Sequence, residues 1–319
     1  MKTVFNLICT TLIVLSSQAL SGASSLFISY SNSSGGGGIE AFSLIPNSKG
    51  TLFDSESVPV TSLTVANNVA YWATSNQIFA DGFMDTTGGS QKNTLPSIPF
   101  SGVTISDLAV DPKTNSYFVG WNAPGYGWFI AQYPLSPQGN YSIFTNNTAV
   151  IQGLSIAGDT AYWIEGTKVY SQKLDGTGKT VVQSFTFGGV TLGDLAIDTA
   201  GQTYLLSALT TGLPPLVGRY PLTPNASGNL FAFANNTIAG LTVAGNRAYW
   251  IDGSSVWSEN LNGTDLKLQE TLPPQFTLTD LAVSIDPPNS SATVPEPASL
   301  LMLGGGLIAA GLMKVRISG

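Results

Sequence analysis

The chain has 319 residues, with 12 Lys and Arg against 19 Asp and Glu and a formal net charge of −7. Because it offers no cationic surface for phosphates, it is not expected to bind nucleic acid. It has no histidine, which excludes a histidine base and a histidine metal ligand. With 43% hydrophobic and 10% charged residues, the composition is that of a folded protein and not of a disordered chain.

Residues 1–23 have the three parts of a secretory signal peptide. Lys2 supplies the positive start, residues 4–15 are largely apolar, and Ser21-Gly22-Ala23 offers small residues for cleavage. The apolar run is short for a membrane span, which needs about 20 residues. The one cysteine, Cys9, lies inside this run, so the mature protein is expected to be stabilised without a disulfide.

Residues 24–286 repeat one short unit six times. Each copy contains an apolar strand led by a leucine, and these leucines are spaced 45, 46, 41, 46 and 40 residues apart. That period is typical of four-stranded propeller blades. Because no long segment between the two chain ends shows helical periodicity, the mature fold is predicted to be all-β. The leading leucines are Leu63, Leu108, Leu154, Leu195, Leu241 and Leu281.

Alternate copies resemble each other more than neighbouring copies do, so the duplicated element is a pair of blades, present three times. A six-bladed ring follows, in which stacked blades bury one another's faces. Adjacent residues of a strand point to opposite faces, so the tyrosine-tryptophan pairs of every second unit are predicted to pack between blades rather than to form a flat carbohydrate platform. These pairs are Tyr71-Trp72, Tyr162-Trp163 and Tyr249-Trp250.

The two ends of the repeat region are expected to share one blade. No outer strands follow the last inner strand at 279–284, whereas the mature N-terminus begins with three strands at 25–30, 38–44 and 51–56. One C-terminal strand is therefore predicted to complete a blade with three N-terminal strands.

The blade pattern, an apolar Leu-Ala-Val strand, a Tyr-Trp strand and then Leu-Asp-Gly, resembles the YWTD and NHL six-bladed propellers. Tyr249-Trp250-Ile251-Asp252 is the closest match, whereas Tyr117 and Tyr204 lack the tryptophan. The resemblance implies the architecture and not membership of either family. Those families are mainly binding scaffolds and some NHL-like propellers are enzymes, so the fold does not decide the function.

Asp107, Asp194 and Asp280 form the one candidate site that repeats with the threefold pattern. Each precedes a leading leucine, so the three carboxylates are expected to surround the central channel near one rim. Three carboxylates with water can hold Ca²⁺ or Mg²⁺, and calcium is the cofactor that this hypothesis names. In the alternative, each carboxylate accepts backbone N–H bonds within its own blade. The blades between have Ser62, Gly153 and Gly240 at the matching place.

Trp121, Tyr126 and Trp128 lie in a glycine- and proline-bearing stretch at 120–128. This stretch is predicted to be a hairpin loop whose aromatic side chains stack on a ligand, with local packing as the alternative. The sequence has no G-x-S-x-G motif and no carboxylate spacing that singles out an acid and a base. We therefore predict a non-catalytic binding or matrix module, and the alternative is a metal-dependent propeller hydrolase or lactonase.

The C-terminal segment at 294–319 follows a polar linker at 287–293 and has three parts. Its uncharged run is shorter than the span of about 20 residues that a permanent membrane helix needs, and its basic end favours retention on the cytoplasmic side. The parts are Pro295-Glu296-Pro297, the uncharged run from Ser299 to Met313, and the basic residues Lys314 and Arg316.

This layout resembles the PEP-CTERM sorting signal, which in that family is recognised by an exosortase in Gram-negative bacteria. The resemblance implies export, a short transmembrane helix that holds the chain transiently at the inner membrane, and processing by an exosortase-type partner. It also implies a final place at the cell surface, in the outer envelope or in the extracellular matrix, where exopolysaccharide or a surface protein is the expected partner. An ordinary C-terminal membrane anchor is the alternative.

Overall fold

The computed structural model of the protein describes residues 24–83, 92–96, 98, 100–136, 140–186 and 188–285. The predicted signal peptide, linker and sorting segment lie outside these residues. The described part consists of six sheets, each with four antiparallel strands. The all-β, six-bladed propeller predicted from the sequence is confirmed.

The strands are numbered in chain order. The first twelve are β1 (Ser25–Asn32), β2 (Gly37–Ser43), β3 (Thr51–Glu56), β4 (Ser62–Ala66), β5 (Val69–Ala73), β6 (Ile78–Gly82), β7 (Asn93–Thr94), β8 (Thr104–Asp111), β9 (Ser116–Ala123), β10 (Gly127–Pro134), β11 (Ser142–Asn147) and β12 (Ile151–Ala157). The other twelve are β13 (Thr160–Glu165), β14 (Lys168–Lys173), β15 (Thr180–Ser184), β16 (Val190–Asp198), β17 (Thr203–Thr210), β18 (Leu216–Pro221), β19 (Asn229–Phe233), β20 (Ile238–Ala244), β21 (Arg247–Asp252), β22 (Ser255–Asn260), β23 (Lys267–Thr271) and β24 (Phe276–Ser284).

Blades 1 to 5 each take four consecutive strands, from β4–β7 to β20–β23, and blade 6 is shared between the two ends of the propeller. In blade 6 the order is β24, β1, β2 and β3. Strand β24 is antiparallel to β1, with Leu281 opposite Ile28 and Ala282 opposite Phe27, and all four side chains are buried. The predicted closure by one C-terminal and three N-terminal strands is confirmed.

Every blade is covered on both faces, because the side chains of a strand alternate between its two sides. In β8, Leu108 lies in the apolar core between blades 1 and 2, and the next residue, Ala109, lies in the core between blades 2 and 3. A strand buried on both faces has a nearly continuous apolar sequence, which explains the repeated Leu-Ala-Val run.

The tyrosine-tryptophan pairs pack between blades, as predicted. Trp72, Trp163 and Trp250 are buried, and Tyr71 lies in the core on the opposite side of blade 1 from Trp72. The indole of Trp72 donates a hydrogen bond of 2.6 Å to Glu56 Oε1. The large apolar rings therefore supply the contact between blades.

Candidate functional site

The six inner strands β4, β8, β12, β16, β20 and β24 surround a central channel and run in the same direction along it. Residues in the first part of these strands, together with Thr61 just before β4, line one cavity of about 130 Å³. Residues further along the same strands line a second cavity of about 230 Å³. We call the side on which the inner strands begin the start face, and the opposite side the end face. Asp107, Asp194 and Asp280 line both cavities and therefore lie between them.

Each of the three carboxylates joins its own blade to the next one. Its Oδ1 accepts the N–H of the leucine that follows it in the same strand, at 2.7–2.8 Å. Its Oδ2 accepts the N–H of the leading leucine of the next blade, at 2.5–2.7 Å. The three bonds between blades run from Leu154 to Asp107, from Leu241 to Asp194, and from Leu63 to Asp280.

The other three blade junctions involve Ser62, Gly153 and Gly240. Ser62 Oγ donates a hydrogen bond of 2.8 Å to Asp107 Oδ1. A Cβ atom on Gly153 would lie 2.5 Å from the backbone nitrogen of Leu195, and one on Gly240 would lie 2.9 Å from Asp280 Oδ1. The two glycines thus allow the next inner strand to approach closely. Together these contacts and the three aspartates join all six blades around the channel.

The hydrogen bonds do not support the predicted metal centre at Asp107, Asp194 and Asp280. Both oxygens of each carboxylate accept hydrogen bonds from backbone N–H groups. Within the ranges that the structure describes, no three Asp, Glu, Cys or His side chains are grouped so that they could hold a metal ion. The structure agrees better with the alternative, in which the carboxylates accept backbone N–H bonds. That alternative placed both bonds within one blade, whereas one oxygen of each carboxylate in fact bonds to the next blade.

The pKa of all three aspartates is raised. For each, the main cause is desolvation within the wall of the channel. Burial, with a further contribution from repulsion by Asp107, raises the pKa of Asp194 to about 8. Burial, with repulsion from both other carboxylates, raises the pKa of Asp280 well above its usual value. The N–H bonds favour the charged form but do not offset desolvation. No lysine or arginine is among the described residues that line the two cavities.

The raised pKa values predict that the propeller loses stability as pH rises from about 4 to about 8. A carboxyl with a pKa higher in the folded than in the unfolded chain, where Asp is near 3.9, stabilises the fold fully below the unfolded value and loses this contribution as pH rises through the folded value. Urea unfolding at several pH values measures the slope. Asp194→Asn, which cannot ionise, should flatten it, and a free energy of unfolding that increases over this interval would contradict the prediction.

The aromatic residues of the predicted stacking loop do not form one platform. The turn itself spans only 124–126. Trp121 in β9 is 2% exposed and lies in the core between blades 1 and 2, whereas Trp128 in β10 packs against the core between blades 2 and 3. Local packing explains both tryptophans. Tyr126, at the turn, is 76% exposed.

The aromatic partner of Tyr126 is Phe100, which the sequence analysis did not single out. Phe100 lies in the loop that joins blades 1 and 2 and is 40% exposed. Its ring centroid is 6.3 Å from that of Tyr126 and 5.4 Å from that of Trp121, on which it stacks. Buried Trp121 therefore supports an exposed pair of rings on the start face.

Two further carboxylates, also missed from the sequence, hold loops of the start face. Glu165 Oε1 accepts the N–H of Thr148 at 2.6 Å, and the carboxylate of Asp252 accepts the N–H groups of Asn235 and Asn236 at 2.9 and 2.8 Å. Each acid ends a Tyr-Trp-Ile strand, and the backbone it holds belongs to an Asn-Asn-Thr run, at 146–148 or 235–237. The sequence signal for these contacts was that an Asn-Asn-Thr run and an acidic strand end recur together, in the same order, at both places.

Solved structures share this fold at low sequence identity. A chain of the nidogen/laminin complex superimposes with a TM-score of 0.64 at 15% identity, covering 83% of this chain and 99% of that one. TolB from Acinetobacter baumannii gives 0.60 at 13% identity, covering 81% of this chain and 66% of that one, and putative TolB from Agrobacterium tumefaciens gives 0.58 at 12%, covering 81% and 91%. These likenesses show the fold alone. No curated protein matches the chain.

The C-terminal segment matches a known motif. The PEP-CTERM protein-sorting motif covers residues 293–316, which include Pro295, Glu296 and Pro297. The predicted short transmembrane helix falls outside the described residues, and none of the residues described forms a helix long and apolar enough to cross a membrane. The match implies export with exosortase-type sorting, and the chain is a six-bladed β-propeller that carries a PEP-CTERM protein-sorting motif at its C-terminal end.

Proposed function

We propose that the propeller is a non-catalytic binding module that works at the Gram-negative cell surface, in the outer envelope or in the exopolysaccharide matrix. The exposed rings of Tyr126 and Phe100 on the start face carry this proposal. Loops supported by a rigid scaffold are where binding residues concentrate, and stacking on buried Trp121 holds Phe100 in place before a ligand arrives.

The central carboxylates support the same proposal, because their hydrogen bonds give them a role in holding the ring. Asp107, Asp194 and Asp280 are the metal centre that the sequence offers to a hydrolase or lactonase, and their oxygens accept backbone N–H bonds. The enzyme alternative predicts calcium-dependent activity on a panel of lactones and glycans. Activity that is lost in Asp194→Asn would favour it over the binding module.

Fractionation of a host that carries an exosortase-type system tests the proposed function. After expression of the full chain, the mature protein should be recovered with the extracellular matrix, and enzymatic digestion of the matrix polysaccharide should release it. The same host without its sorting enzyme is the control, because the propeller is then made but not processed. Recovery of the mature protein only in the soluble medium, with none in the matrix or on the cell surface, would contradict the proposal.

Replacing Pro295, Glu296 and Pro297 by alanine is expected to block C-terminal processing without unfolding the propeller. The three residues lie in the matched sorting motif, outside the six blades. The longer, unprocessed form should therefore accumulate, and immunoblotting of membrane and matrix fractions measures it. Its thermal unfolding should equal that of the parent chain. Normal maturation of the variant in a competent host would rule out this motif as the processing signal.

A further inference from the structure

The loops of the two faces of the ring differ in charge. At the start face the charged residues belong to strand ends: Lys168 is exposed at the beginning of β14, and Glu165 and Glu56 form ion pairs with Lys179 and Lys92. Within a blade the strands are antiparallel, so the turns between second and third strands lie on the start face together with the links between blades. None of these twelve loops contains Asp, Glu, Lys or Arg. The loops are 33–36, 57–61, 74–77, 95–103, 124–126, 148–150, 166–167, 185–189, 211–215, 234–237, 253–254 and 272–275.

The end-face loops differ in this respect, since they carry charges of both signs. Among the described residues these charges are Lys49, Lys113, Asp159, Asp175 and Asp265. Lys92 and Lys179 also follow end-face turns, but their ammonium groups reach Glu56 and Glu165 near the start face. Both sets of loops belong to the same repeated blade. The difference in charge between them therefore distinguishes the two faces and does not simply reflect the low charge of the whole chain.

The start-face loops offer a surface of hydroxyl, amide and backbone groups with a few exposed apolar side chains. Ser, Thr, Asn and Gln can each donate or accept hydrogen bonds without carrying charge. Tyr126 and Phe100 add two exposed rings whose centroids are 6.3 Å apart. A sugar presents apolar C–H groups on the faces of its ring and hydroxyls around the edge. The C–H faces can stack on the two aromatic rings, and the hydroxyls can form hydrogen bonds with the uncharged polar side chains of the loops.

Charge complementarity selects the class of sugar. A polymer bearing carboxylates, sulfates or phosphates would be recognised by cationic side chains, and the two loops that carry the paired rings, 95–103 and 124–126, contain none. A protein partner would require a well-packed apolar centre with a polar rim, whereas the chain beside the paired rings consists of Pro124 and Gly125 in one loop and Ser101 and Gly102 in the other, which are too small to form such a centre. We infer that the start face binds an uncharged polysaccharide, with Tyr126 and Phe100 as the stacking platform. This inference rests on the proposed binding function and adds the face, the residues and the ligand class.

Affinity electrophoresis of the purified protein in native gels tests the inference. Dextran and glucomannan serve as neutral probes and alginate as the acidic probe. The parent chain should be retarded by at least one neutral probe and not by alginate. Added salt should leave the retardation unchanged because the neutral probes carry no charge for salt to screen. Tyr126→Ala should raise the dissociation constant about tenfold, which is the largest effect expected from the loss of one aromatic contact.

Ile45→Ala is the matched control, since Ile45 is 71% exposed and lies on an end-face loop. It should bind like the parent chain, and the thermal unfolding of both variants should be unchanged. Salt-sensitive retardation by alginate, or equal retardation of the parent and Tyr126→Ala by a neutral probe, would overturn the inference while leaving a binding module in place. Retardation by none of the three probes, together with capture of the chain on a cell-surface protein, would overturn it in favour of a protein partner.

Discussion

Gly153→Ala is expected to destabilise the propeller by about 3 kcal/mol, because it combines backbone strain with a collision between blades. Gly153 has a φ of 55° and lies where the register between β12 and β13 shifts. Its new Cβ would be 2.5 Å from the backbone nitrogen of Leu195 in blade 4. Backbone cannot move aside as the end of a flexible side chain can, so the inner strands of blades 3 and 4 would have to separate.

Gly158→Ala is the matched control for this effect. Gly158 also has a positive φ, 65°, but a Cβ there would meet nothing within 4 Å. It should cost about 1 kcal/mol, which is the penalty of the backbone conformation alone. Urea unfolding of the two variants measures the difference. Equal losses in both would show that the close contact with Leu195 does not limit the packing of blades 3 and 4.

Removal of β24 is expected to prevent formation of the closed ring. A chain that ends at Gln275 would lack the inner strand of blade 6, including Leu278 and Leu281 of the core between blades 5 and 6. It would also lack the bond from Leu63 to Asp280 that ties blade 6 to blade 1. The edge of β1 would then be free to pair with other molecules, and the protein should aggregate, as size-exclusion chromatography would detect.

A chain that ends at Ile285 is the control, because it lacks the same C-terminal segment but keeps β24. It should be a soluble monomer with the thermal stability of the mature protein. A milder variant, Leu281→Ala, should fold and lose about 3 kcal/mol through the cavity it leaves. A soluble and equally stable product from the chain that ends at Gln275 would show that β24 is not required for closure.

Much of the fold could be predicted because the relevant signals are local and repeated. The spacing of the leading leucines specified the number of blades, and the apolar run of each inner strand indicated burial on both faces. The shared blade followed from counting strands, since only the partnership of β24 with β1 leaves every blade complete. The PEP-CTERM motif was equally accessible, because short linear motifs are defined by residue order and need no tertiary context.

The roles of the site residues depended on tertiary structure. Asp107 and Leu154 are 47 positions apart, and so are Asp194 and Leu241, so only the angle between neighbouring blades brings each carboxylate to an N–H of the next. Through that contact, each carboxylate that the sequence predicted as a metal ligand links two neighbouring blades. Likewise, strand alternation turns Trp121 and Trp128 to opposite sides of blade 2, while the link between blades places Phe100 beside Tyr126. The sequence alone determined the repeated strands, their buried faces and the sorting motif, because these follow from local periodicity and residue order. The ring geometry decided which distant groups meet, because a hydrogen bond or a stacked pair depends on positions in space that local periodicity does not specify.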